Sequence, residues 1–227
     1  MFNNSWKKLS CIAGIVLVAF WVSSVTASAS EKSSGNIHPK KRVAVIPFEP
    51  LTPENESART VFCPLCGIGV SGGHVSKGSE KIVEDVFINK LRESKDIEFI
   101  PSDKVEVVYK GVFAETLKES MLKRLRKIGS ELGADFVAVG YVFRYIDRVG
   151  YEYSIDRPAS VGFEIHLIKT ADGSMIWRGS FDKTQKSLME DVSQLFTFLK
   201  NGGKWLTARQ LTEQGMNEIL KTFPNFE

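Results

Sequence analysis

The chain is expected to fold as a mixed α/β domain, a β-α-β-α half followed by an antiparallel meander, with helices packed on the sheet and further helices at the C-terminus. Three observations predict it. Short β-branched runs take turns with amphipathic helical stripes between residues 41 and 132, Val161–Lys169 alternates apolar and polar residues, and an Asp-Gly turn joins that run to the next one. A length of 227 residues allows a sizeable core. With 43% hydrophobic and 25% charged residues, disordered, collagen-like and coiled-coil classes are excluded. A formal net charge of +3 gives no clustered basic footprint for nucleic acid.

The first 29 residues read as a secretory signal. Lys7 and Lys8 precede an apolar run from Leu9 to Val22, and small residues end at Ala27-Ser28-Ala29, where cleavage is placed. That run is shorter than the ~20 residues of a membrane-spanning helix, so membrane association follows only if the segment stays uncleaved. Cys11 precedes most of the apolar run and Lys8 stands where a lipobox needs an apolar residue, which argues against a lipid anchor. Residues 30–40 form a polar tether. The rest, 41–227, is read as one domain exported to the periplasm.

Lys41–Phe48 (KRVAVIPF) is a buried first strand that Pro47 ends. Residues 49–76 carry Pro, Gly and Cys with no helical or alternating period, and are read as an insertion loop. From Ser79, a stripe of Ile82, Val83, Val86, Phe87 and Leu91 lies opposite Glu80, Lys81, Glu84 and Asp85. Ile97–Ile100 is a second strand, and Asp103 with Glu106 opens a small helix. Leu117, Met121, Leu122, Leu125, Ile128 and Leu132 form another stripe that stops at Gly133. Phe136–Tyr145 is a strand. Val161–Lys169, with Gly162, Glu164 and His166 on its polar face, is expected to be half-solvated and antiparallel. Ala171-Asp172-Gly173 turns it into Met175–Phe181. Ser187 with Glu190, and Thr207 with Gln210, form capping boxes before two helical patterns, and Pro224 closes the second.

Three of these pieces, "VAVIPFEPL", "LGADFVAVGYV" and "HLIKTADGSMIW", together resemble a periplasmic α/β domain family. It is shared by the curli-secretion channel lipoprotein, the lipoprotein activators of penicillin-binding proteins, and the amino-terminal domain of the Tol β-propeller protein. The resemblance spans most of residues 42–184. It implies the fold and an envelope role, and no catalytic residue travels with it. The Cys-containing insertion has no counterpart in the family pattern, and no spare pair of ~10-residue alternating segments is left for a pore.

Cys63-Pro64-Leu65-Cys66-Gly67 is the sharpest motif. A C-P-x-C-G turn aims backbone N–H groups at thiolates and suits tetrahedral zinc or iron. It supplies two ligands; His74 is a candidate third, and a second chain could bring two more cysteines. An oxidising compartment instead favours a local Cys63–Cys66 disulfide, the preferred reading. Thiol exchange is disfavoured, because no helix pattern follows Cys66. Gly69-Val70-Ser71-Gly72-Gly73 matches G-x-S-x-G formally but lacks the strand-to-helix context of a nucleophile elbow. Lys77-Gly78-Ser79 is no phosphate loop. His166 beside Glu164 could act as an acid/base pair, though such strand residues are usually solvated. Lys118–Lys127 reads as a solvated basic helix face.

Between the first two meander strands, Tyr141, Tyr145, Tyr151 and Tyr153 occur with Arg144, Arg148 and Arg157, residue types enriched where partners dock. Tyr145, Arg148, Tyr151, Tyr153 and Arg157 are the candidate partner-binding set. The leading expectation is a non-enzymatic periplasmic binding or scaffolding protein that contacts envelope proteins and needs no cofactor. The alternative is a redox or zinc-binding protein using Cys63 and Cys66. The sequence assigns no oligomeric state.

Overall fold

The computed structural model describes residues 40–53, 59–93, 97–185 and 204–226, all within one unit from His38 to Glu227. The leader, most of the tether and the capping box at Ser187 and Glu190 lie outside the described residues. Strand β1 (Lys41–Val45) is buried from Val43 onward. Pro47 interrupts it, and β2 (Glu49–Pro50) resumes the same path along the sheet. The hairpin strands β3 (Thr60–Phe62) and β4 (Gly69–Ser71) come next, then α1 (Ser79–Arg92), β5 (Ile97–Phe99), α2 (Ser102–Glu115) and α3 (Met121–Leu132). Gly133 closes α3 with a φ of 60°, the left-handed turn in which glycine carries no Cβ penalty. The long strand β6 (Phe136–Ile146) is followed by the short pair β7 (Val149–Gly150) and β8 (Ile155–Arg157), then β9 (Ser160–Lys169), β10 (Met175–Thr184) and helix α4 (Ala208–Ile219).

The main sheet has the order β10-β9-β6-β1-β5, with β2 also on β6. β1 runs parallel to both β5 and β6, whereas β9 runs antiparallel to both of its neighbours, β6 and β10. This is the mixed α/β architecture the sequence predicts. The joint at Gly133-Ala134-Asp135 is fixed by Arg42: its backbone N–H donates to the Asp135 carboxylate at 2.8 Å, and its guanidinium donates to the Gly133 carbonyl at 2.7 Å.

Both faces of the sheet are covered. On one, Val83, Val86 and Phe87 of α1 and Leu211, Met216 and Ile219 of α4 pack against Val161, Phe163, Ile165 and Leu167 of β9. On the other, Val105 of α2 with Leu125 and Ile128 of α3 cover Ala44, Val137, Val139, Tyr141 and Ile168. Removing a side chain such as Phe87 from water contributes about 1.5–3 kcal/mol.

Several expectations need correction. The 49–76 segment contains β2, β3 and β4, and its Cys63 joins the second core. It is therefore part of the packed structure. Helix α2 is longer than a small helix at Asp103, because only Val105 and Val112 are fully buried and the stripe is too sparse to read. Leu117 precedes α3 and is exposed. Glu84, expected on the solvent side of α1, is buried: it accepts the Phe48 N–H at 3.0 Å and pairs with Lys81 at 2.5 Å. Strand β9 is buried on both faces from Ser160 to Ile168. No helix among the described residues is long and apolar enough to cross a membrane.

Candidate functional site

The polar face of β9 lies under the β3–β4 hairpin, and the two surfaces exchange their reactive side chains. The turn between β3 and β4 is built by local bonds: the Gly67 N–H donates to the Cys63 carbonyl at 2.9 Å, and the Cys63 N–H to the Ile68 carbonyl at 3.0 Å. Gly67 adopts a φ of 68°, so the fifth residue of C-P-x-C-G supplies the left-handed step. The Cys66 N–H then points at the Cys63 sulfur, 3.4 Å away. Cys63 Sγ sits 3.3 Å from His166 Nε2, and the Cys66 thiol donates to Glu164 Oε1 at 3.4 Å. His166 Nε2 and Glu164 Oε1 are 2.5 Å apart. All four ligand atoms lie within 4.8 Å of one another.

His166 is fully buried and Glu164 is 1% exposed. Strand alternation puts both on one face, since residues two apart point the same way. The outer oxygen of Glu164 accepts from the Arg178 guanidinium on β10. Burial pushes the Glu164 carboxyl up, but hydrogen bonds from His166, Arg178 and Cys63 outweigh it and hold the group at about 2. For Cys63, burial raises the thiol to about 12, the Glu164 carboxylate adds to this, and the backbone N–H groups of Cys66 and Leu65 pull the other way. His166 Nδ1 faces the Met175 sulfur at 3.3 Å. The buried Tyr141 hydroxyl, on the neighbouring strand, has no hydrogen-bond partner, and its ring stands edge-on to His166 with centroids 6.2 Å apart.

Two sulfurs, one imidazole nitrogen and one carboxylate oxygen are a donor set suited to tetrahedral zinc. The set differs from the one read off the sequence. Cys63 and Cys66 both belong to it, but His74 is exposed and stands elsewhere, its carbonyl accepting the Tyr145 N–H at 2.8 Å. Glu164 and His166 take its place. The disulfide preferred from the compartment is not formed: both cysteines are free, with Cys63 turned to His166 and Cys66 to Glu164. Ser71 lies on β4 of a hairpin and leads into no helix.

Comparison with protein-family models and with curated proteins returns no match. Solved structures do resemble the fold. PelC from Paraburkholderia phytofirmans, a dodecamer, is 14% identical over 80% of this chain and 85% of that one, with a TM-score of 0.44. The LpoB C-terminal domain from Salmonella enterica is 11% identical over 64% of this chain and 83% of its own (TM-score 0.40). Lipoprotein GNA1162 from Neisseria meningitidis is 17% identical over 71% and 96%, with a TM-score of 0.41.

The second candidate surface is the β7–β8 hairpin. Tyr151 is 83% exposed and Tyr153 64% exposed, with Arg157 exposed beside them. Lys204 lies over the Tyr153 ring at 5.5 Å and pairs with Glu152 at 3.3 Å, while the Trp205 N–H donates to the Glu152 carbonyl at 2.7 Å. These contacts brace the tip. Arg148 is half-buried, and Tyr145 is 5% exposed with its hydroxyl bonded to Thr212, so Tyr145 leaves the candidate docking set.

Proposed function

We propose that this protein is a non-enzymatic binding domain of the cell envelope that contacts a protein partner through the β7–β8 hairpin. The observation that carries the reading is the pair Tyr151 and Tyr153, presented to solvent on a hairpin braced from below by Lys204 and Trp205. Tyrosines bring large, rigid contact area at low entropy cost, and Arg157 beside them adds a planar donor. The leader-like pattern read in residues 1–29 supports placement in the periplasm, and Ser71 lacks the setting of a nucleophile elbow.

A photo-crosslinking side chain at the exposed Ser154, with Tyr151 and Tyr153 intact, tests this in cells that make the full chain. A discrete adduct with one envelope protein, lost in a Tyr151→Ala, Tyr153→Ala variant probed from Ser154, is the expected result. An adduct pattern unchanged by the double substitution would overturn the assignment to this hairpin.

A further inference from the structure

We infer that Cys63, Cys66, Glu164 and His166 form a zinc site that pins the β3–β4 hairpin to the sheet. This stands apart from the docking reading, because the site lies under a different hairpin.

The first argument is geometric. Zinc binds sulfur at about 2.3 Å and nitrogen or oxygen at about 2.0 Å, so the edges of its tetrahedron measure about 3.3–3.8 Å. Cys63 Sγ to His166 Nε2 and Cys66 Sγ to Glu164 Oε1, at 3.3 and 3.4 Å, are already near such edges. His166 Nε2 and Glu164 Oε1, at 2.5 Å, have only to part. The second argument is donor accounting. Without a metal, the close Nε2 contact to Glu164 calls for a proton between them; because the Met175 sulfur can accept an Nδ1–H, that Nε2 proton can be given up to a metal and Nε2 can ligate beside Glu164 Oε1 and the two sulfurs. With both thiols deprotonated, four lone pairs converge on one largely buried point, and a cation satisfies them together.

The third argument is charge. Binding releases the two thiol protons to solvent, and two thiolates with one carboxylate exceed the charge of Zn²⁺ by one. The Arg178 guanidinium, already on the outer oxygen of Glu164, meets that excess. The backbone adds its share, because the Cys66 N–H already points at the Cys63 sulfur as a thiolate ligand requires. Soft sulfur ligands combined with imidazole favour zinc over magnesium or calcium.

The chain, purified without chelator and under reduction, should carry about one zinc per molecule by elemental analysis. X-ray absorption at the zinc edge should report two sulfur and two lighter neighbours. Replacing zinc by cobalt(II) gives thiolate charge-transfer bands, of which Cys66→Ser should remove about half, and tetrahedral visible bands that His166→Gln should shift. His74→Ala should leave both spectra unchanged. Cys66 is only partly buried, and far-ultraviolet circular dichroism checks that its variant folds. Zinc with only nitrogen and oxygen neighbours, a folded chain free of zinc, or a Cys63–Cys66 disulfide in protein taken from the envelope would overturn the assignment.

Discussion

The ring of Phe48 lies directly over Gly140, so that a Cβ on residue 140 would come within 2.4 Å of two ring carbons. Phe48 follows the break at Pro47, and its ring fills the groove that the bare glycine leaves on the longest strand. Its own neighbour is Phe87 of α1, with ring centroids 5.8 Å apart. Gly140→Ala therefore forces a buried aromatic to move into a filled core. Overpacking of this kind costs about 1–3 kcal/mol, and urea unfolding followed by circular dichroism measures it. A change within error would mean that Phe48 relocates freely.

Arg144 fastens the β3–β4 region to the sheet. Its guanidinium donates to the Ser71 carbonyl at 3.0 Å and to Ser160 Oγ at 2.6 Å, and it also pairs with Asp182. Arg144→Ala should leave the global unfolding midpoint nearly unchanged. The Gly72 and Gly73 amides, bonded to Arg59 and Phe143 carbonyls, should lose about tenfold in hydrogen-exchange protection through local opening. Equal protection in the two proteins would show that Arg144 is ornamental to the hairpin.

The capping box at Thr207 and Gln210 is complete: the Thr207 side chain accepts from the Gln210 N–H, and the Gln210 side chain accepts from the Thr207 N–H at 2.9 Å. Thr207→Ala should lower stability by about 1 kcal/mol, read as a lower thermal midpoint. Thr207→Ser should restore most of it.

Tyr109, Tyr141 and Tyr145 have phenols pushed above their ordinary 10.0, in each case first by burial. For Tyr109 the hydrogen bond to Glu49 adds to it. A raised folded-state value favours the neutral phenol, so the stability linked to these groups is fully present below pH 10 and is lost as pH rises beyond it. Phenolate absorbance should show three of the five tyrosines resisting ionisation until the chain unfolds in alkali. Five phenols titrating together on a native chain would contradict the burial.

The strands and helices that carry strong periodicity were legible in the residues themselves. Phe136–Ile146 announces itself by an apolar run, Leu125 and Ile128 by helical spacing before Gly133, and α4 by its capping box. Three-residue strands such as β3 and β4 are too short to show a period, and α2 buries too little to mark its face. The site was half legible. Cys63 and Cys66 stand out through a local turn, but Glu164 and His166 look solvated, since alternation reports which residues share a face and says nothing of what covers it. Contacts far apart in sequence, such as that between Cys63 and His166, 103 residues apart, reveal that cover.

That separation also orders events as the chain folds. The C-P-x-C-G turn needs only its own neighbours and can close within a nascent segment. Glu164 and His166 reach it only after β9 has zipped against β6, since closing a loop of this length in a loose chain costs about 4–5 kcal/mol of entropy before any contact repays it. Cys63, 3% exposed in the folded chain, should thus react with an alkylating reagent before the meander is in place and be shielded thereafter. Its reactivity would then time the moment at which the hairpin and the sheet meet.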